Sequence, residues 1–198
     1  MLFRSSHAAN LGYFNKERAE NPFVSRADEK VQAQQTIPAA ATSVMRDYER
    51  PGAAEAARSL PHRIEMSENI GNIAEAGNPF QGTALAEQSA RAVEPVVAMD
   101  EPQFETGGQF AGGGRVHMAG GGGLDQRTAA LANRAMNYFL GKGYSKAAAA
   151  GIVGNLIHES GGKLNPGAHG DLSLGPARSA WGIGQWRENR FANLQNFA

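Results

Sequence analysis

The chain has 198 residues with 19 Lys and Arg against 19 Asp and Glu, so its net charge singles out no class of partner. Leu, Ile, Val and Phe together number 36 while Ala alone numbers 34, which is thin material for a core of this length. Cys is absent, which excludes disulfides, thiolate metal sites and a Cys nucleophile. No apolar run reaches the ~18 residues of a membrane span, and the start, MLFRSSHAANLGYFNKERAE, has no signal-peptide core.

The charge is unevenly placed. Residues 1–106 carry 10 basic and 15 acidic groups, whereas residues 124–198 carry 8 and 4. The front part reads as an extended, partly helical arm. Ala-rich amphipathic pieces are predicted around 26–35, 39–49 and 83–93, separated by prolines at 22, 38, 51, 61, 79, 95 and 102. No piece holds enough large apolar residues to fold alone, so the arm is expected to order on a protein partner. Asn-Pro-Phe recurs at 21–23 and 78–80, too little to define a repeat. The run GGQFAGGGRVHMAGGGG over 107–123 reads as a flexible linker. It has no GxxxxGK[ST] pattern and no strand before it, so neither nucleotide binding nor specific nucleic-acid recognition is expected.

From residue 124 the pattern turns helical. Leu131, Ala135, Tyr138 and Phe139 predict a helix over 126–140, with Asp125 or Thr128 as N-cap and Gly141 and Gly143 as the stop. Ser145 is placed to cap a second helix, whose stripe is Ala149, Ile152, Val153, Leu156 and Ile157, and Gly161 and Gly162 end it. A third helical run starts near Glu188 or Asn189 and carries Phe191, Leu194 and Phe197. The basic balance of this part favours an anionic polymer as partner.

Glu159 closes the second helix. It falls three residues after Leu156 and seven after Ile152, on the apolar stripe, and lies at the negative end of the helix dipole. Burial and dipole both favour a protonated carboxyl, which is what a general acid toward a glycosidic oxygen requires. His158 and His169 do not form HExxH or another spaced ligand set, so no metal and no cofactor are expected.

The segment HESGGKLNPGA, followed after an interval by AWGIGQW, resembles the phage tail-type lysozyme family of the lysozyme-like superfamily, which includes goose-type lysozymes and lytic transglycosylases. The resemblance covers about residues 126–198. It implies a mainly α, lysozyme-like domain, with Glu159 as general acid toward the β-1,4 bond between the amino sugars of peptidoglycan. It also implies that Gln185 lines the cleft beside the acid, with Ser179 a weaker match. Trp181 and Trp186 suit sugar stacking and core packing equally. Paired-carboxylate hydrolysis needs a second acid, for which Asp171 and Glu188 are the candidates. Asp171 suits a base that positions water and equally suits a solvated turn; without such a pair the lytic transglycosylase route stays open. The loop 171–179 is longer than the family pattern, and the chain stops within an apolar helical run, so a C-terminally incomplete domain is expected. The expectation is a bacteriophage virion protein, assembled in the host cytoplasm, whose arm binds other virion proteins and whose domain opens the cell wall for genome delivery. A non-catalytic structural or ejection protein is the alternative.

Overall fold

A computed structural model describes residues 6–75, 124–170 and 179–198. Short polar side chains start most of its helices. In α1 (His7–Glu20) the Ser6 hydroxyl accepts the Ala9 N–H at 3.0 Å, and in α2 (Pro22–Gln32) Asn21 Oδ1 accepts the Phe23 N–H at 3.0 Å. Thr36 caps α3 (Ile37–Ser43), which runs on into a π-helical turn (Val44–Glu49) ended by Arg50 in the left-handed conformation. α4 (Ala53–Glu75) is the longest helix described. Asp125 caps α5 (Gln126–Gly141), accepting the Thr128 N–H at 2.9 Å, and Ser145 caps α6 (Lys146–Glu159), accepting that of Ala148 at 3.1 Å. A two-residue antiparallel pair, β1 (His169–Gly170) and β2 (Ala180–Trp181), places Gly170 opposite Ala180. It precedes a turn closed by mutual backbone bonds between Trp181 and Trp186, and then α7 (Glu188–Phe197).

The fold is mainly α, as the sequence predicts, and α5, α6 and α7 lie where the apolar spacing puts them. The front part differs from expectation. The predicted pieces 26–35 and 39–49 overlap α2 and α3 plus the π turn, whereas α1 and α4 are helices where the sequence predicts extended chain. The predicted piece 83–93 and the linker 107–123 lie outside the described residues. The prolines misled because two of them open helices: Pro22 and Pro38 occupy first turns, where the missing N–H has no helical partner to lose. Pro61 lies inside α4, which continues past it.

These front helices do not lack a core; they share one with the rest of the chain. α6 is buried at every residue from Ala148 to Ile157, so the stripe predicted for one face occupies only part of the buried circumference. One cluster joins Leu11, Phe14, Val31 and Ile70 from the front to Met136, Phe139, Ile152 and Leu194 from the back. Counting branched and aromatic residues underestimated it, because Ala40, Ala132, Ala135 and Ala148 to Ala150 fill much of it. Small residues act here by letting backbones touch. A Cβ on Gly151 would lie 2.8 Å from the Ala40 carbonyl carbon and the Ala41 nitrogen, and one on Gly154 would lie 2.6 Å from Ser67 Cα. α3 and α4 therefore pack on α6 closer than larger side chains permit.

Candidate functional site

The last residue of α6 is Glu159, followed by Ser160 and by Gly161 and Gly162, both at positive φ, which turn the chain away. The sequence expected a carboxyl desolvated on its own. Instead its side chain is 18% exposed and salt-bridged to the Arg63 guanidinium of α4, which is 3% exposed. The other arms of the guanidinium are also held: Nη1 donates to Asn155 Oδ1 at 2.8 Å and Nε to the Ser59 hydroxyl at 3.2 Å. Asn155 is fully buried one turn before Glu159, and its Nδ2 donates to the Ala41 carbonyl at 3.1 Å and the Gly151 carbonyl at 2.8 Å. α3, α4 and α6 thus fix the guanidinium against the end of the helix.

A second carboxyl faces the same place. Glu49 ends the π turn, and its Oε1 is buried with no hydrogen-bond partner among the described residues. Burial, and next the charge of Glu159, push the Glu49 carboxyl up to about 8, against the opposing pull of Arg63 and Arg190. Neighbouring Tyr48 belongs to a further cluster. Glu17 of α1 accepts the Tyr48 hydroxyl at 2.9 Å, the Trp186 indole N–H at 3.0 Å and Arg190 Nη2 at 2.8 Å, and Arg190 Nη2 also donates to the Tyr48 oxygen at 2.7 Å. Polar side chains of the front part therefore hold the Gly-Ile-Gly-Gln-Trp turn through Glu17 and, separately, Glu159 through Arg63.

The other sequence candidates are placed as follows. Trp186 is a core residue and not a sugar platform: it is fully buried, edge-on to Tyr13 at 5.3 Å. Trp181 stacks on His169 at 3.6 Å and on Phe191 at 5.0 Å between centroids, so its ring is used in packing. Gln185 adopts a left-handed conformation, and its Nε2 donates to the Gly182 carbonyl at 3.0 Å. Its amide oxygen packs where a side chain at Gly170 would stand, so it ties the turn to β1; no hydrogen bond joins it to Glu159. Ser179 is buried just before β2. Glu188 is exposed at the start of α7, and Asp171 lies outside the described residues. His158 stacks edge-on with His62 at 5.4 Å, and burial, then the nearby Arg63, lower its pKa to about 4.

Arg63, Asn155, Glu49, Glu17, Tyr48 and Arg190 escaped the sequence reading. Arg63 and Glu159 are separated by 96 positions, and Glu17 and Arg190 by 173. One signal was present for Arg63: Ser59, Arg63 and Ser67 recur at a spacing of four, and all three are buried on one face of α4.

Glu159 at the end of the buried helix, the small antiparallel pair and the Gly-rich turn all fall within one stretch of the chain that a family model matches. Residues 130–198 match the phage tail lysozyme family, the same family that the sequence resembles. No curated protein and no solved structure matches the chain.

Proposed function

We propose that the chain is a virion-associated peptidoglycan-degrading enzyme of a bacteriophage, which cleaves the β-1,4 bond between amino sugars so that the genome can cross the cell wall. The observation that carries this reading is Glu159. It lies within the stretch that matches the phage tail lysozyme family, ends the buried helix and keeps part of its carboxyl accessible. Peptidoglycan is the substrate in this reading, and other virion proteins are bound through the front part, where Phe23 is 65% exposed. The site of action is the host periplasm and cell wall.

A non-catalytic structural or ejection protein is the second reading. Two observations favour it: Arg63 occupies the Glu159 carboxylate, and both tryptophans are used in packing. Mass spectrometry of muropeptides released from purified peptidoglycan separates the two. The enzyme reading expects release by the parent chain and a loss of about 10²- to 10⁴-fold in Glu159→Gln. Reducing ends identify a hydrolase and 1,6-anhydro ends a transglycosylase. Binding to the wall with no release by the parent supports the structural reading.

A further inference from the structure

The side chain that holds Glu159 comes from outside the stretch that matches the family: Arg63 belongs to α4, and the match covers residues 130–198. Its guanidinium is anchored twice before it reaches Glu159, Nε by the Ser59 hydroxyl of its own helix and Nη1 by Asn155 Oδ1, one turn before Glu159 on α6. Asn155 cannot turn away, because its amide nitrogen is spent on the Ala41 and Gly151 carbonyls, which leaves its oxygen facing the guanidinium. The fork is planar and rigid, so two held arms fix the direction of the third, Nη2, which donates to Glu159 Oε1. Gly154 makes this reach possible, since it lets the α4 backbone at Ser67 lie directly against α6. The two oxygens of Glu159 are therefore unlike. Oε1 accepts from Arg63, whereas among the described residues no hydrogen bond is made to Oε2. The carboxyl is oriented by one oxygen while the other is left for a proton.

We propose that Arg63 is the positioning residue of the general acid: it clamps Glu159 by Oε1, leaves Oε2 to carry the donated proton, and stabilises the carboxylate as it forms. This rests on the glycosidase reading and keeps Glu159 as the donor. In the step, the Oε2 proton passes to the glycosidic oxygen as the bond to the anomeric carbon breaks. The electrons of the O–H bond stay on Glu159, and those of the glycosidic bond leave with the sugar oxygen. Negative charge thus grows on a carboxyl that already faces an oriented guanidinium, so the pair is tighter as the proton leaves than before it does, and the barrier falls. Water, or a hydroxyl of the same sugar, then adds to the anomeric carbon, and its proton returns to Glu159. Arg63 touches no reacting atom and acts through Glu159 alone.

The test measures muropeptide release by the full chain, by Arg63→Lys and by Arg63→Gln, at limiting and saturating peptidoglycan and across pH, beside the unfolding midpoint of each. In Arg63→Gln, kcat on the acid plateau is expected to fall about 10²-fold with KM kept within about threefold. Arg63→Lys keeps the charge but cannot reach Ser59, Asn155 and Glu159 together, and is expected to lose about tenfold in kcat. The charged and titratable groups around Glu159 are Arg63 on α4 and Glu49 on the π turn, with His158 beside it on α6 and His62 of α4 against His158. Of these only Arg63 changes, so the alkaline limb of the release rate is expected to move to higher pH in Arg63→Gln, where the cation that favours the carboxylate is gone, and to stay in place in Arg63→Lys. A parent-like kcat in Arg63→Gln, a loss confined to KM, an unmoved limb or a kcat that falls only with the unfolding midpoint overturns the role. Should Arg63→Gln fail to fold, Arg63→Lys decides: the loss in kcat at an unchanged midpoint supports the role, and a parent-like kcat overturns it. A parent that releases nothing defeats the glycosidase reading, and the role falls with it; release by the parent and equally by Arg63→Gln removes the role and leaves that reading standing.

Discussion

Two glutamate and arginine pairs join the front helices to the back of the chain, and they are built differently. Glu17 is 6% exposed, and its oxygens accept from two tyrosines, an indole and a guanidinium. Glu159 has one guanidinium and partial access to solvent. The first arrangement engages both oxygens of Glu17 several times over, which is how a structural ion pair is made tolerable in an interior. The second keeps a charge oriented but reachable, the arrangement that the proposed glycosidase reading uses.

If the two pairs differ in this way, neutralising each should have unequal consequences. Glu17→Gln strands Arg190 and disturbs Trp186 and Tyr48, and it is expected to cost about 3–5 kcal/mol in a denaturant titration. Glu159→Gln is expected to cost less, about 2 kcal/mol, because Arg63, although 3% exposed, keeps Asn155 and Ser59 and the glutamine oxygen can still accept from it. Equal losses would erase the distinction between the two regions. A comparable effect addresses how the regions are joined. Gly154→Ala drives a methyl into the Ser67 backbone and is expected to cost about 2 kcal/mol, measured as a lower denaturation midpoint; an unchanged midpoint would mean that α4 and α6 are not held this close.

The smallest effect is one of pH. Burial, then the charge of Arg134, lowers the pKa of His7 to about 4, and the pKa of His158 is lowered to about the same value. Between that value and 6.5, the unfolded chain binds protons that the folded one does not, so stability is full above pH 6.5 and falls as pH drops toward 4. For His7, near the start of α1, the loss from pH 6.5 to 5.5 is expected to be about 1 kcal/mol, and His7→Gln should remove that part of the slope. His158 acts in the same direction beside Arg63, so His158→Gln tests the same dependence at the other region.

The back of the chain was legible because its signals are local. Asp125 and Ser145 sit one position before their helices, and Leu156 and Ile157 lie within a turn of Glu159. The front was not legible because its core is borrowed. α4 buries Met66, Ile70 and Ile73, a modest set that suffices only against the alanines and glycines of α6, and composition taken segment by segment cannot register a surface supplied much later in the chain. The charge asymmetry was visible but misread in part: one of the basic groups counted toward an anionic partner, Arg190, is committed to Glu17. Glu159 stood out as a candidate through its place on the helix together with the family resemblance around it, whereas its guanidinium partner follows from tertiary packing alone.

The indole of Trp186 sits against Tyr13 and donates to Glu17, so the surroundings of this ring exist only while α1 is seated on the turn before α7. The chain has two tryptophans, and the other is stacked between His169 and Phe191 within the back part. Intrinsic fluorescence therefore carries a label-free optical readout of the junction, in which Trp181→Phe isolates the reporter and a red shift of the remaining emission marks the moment the front helices let go.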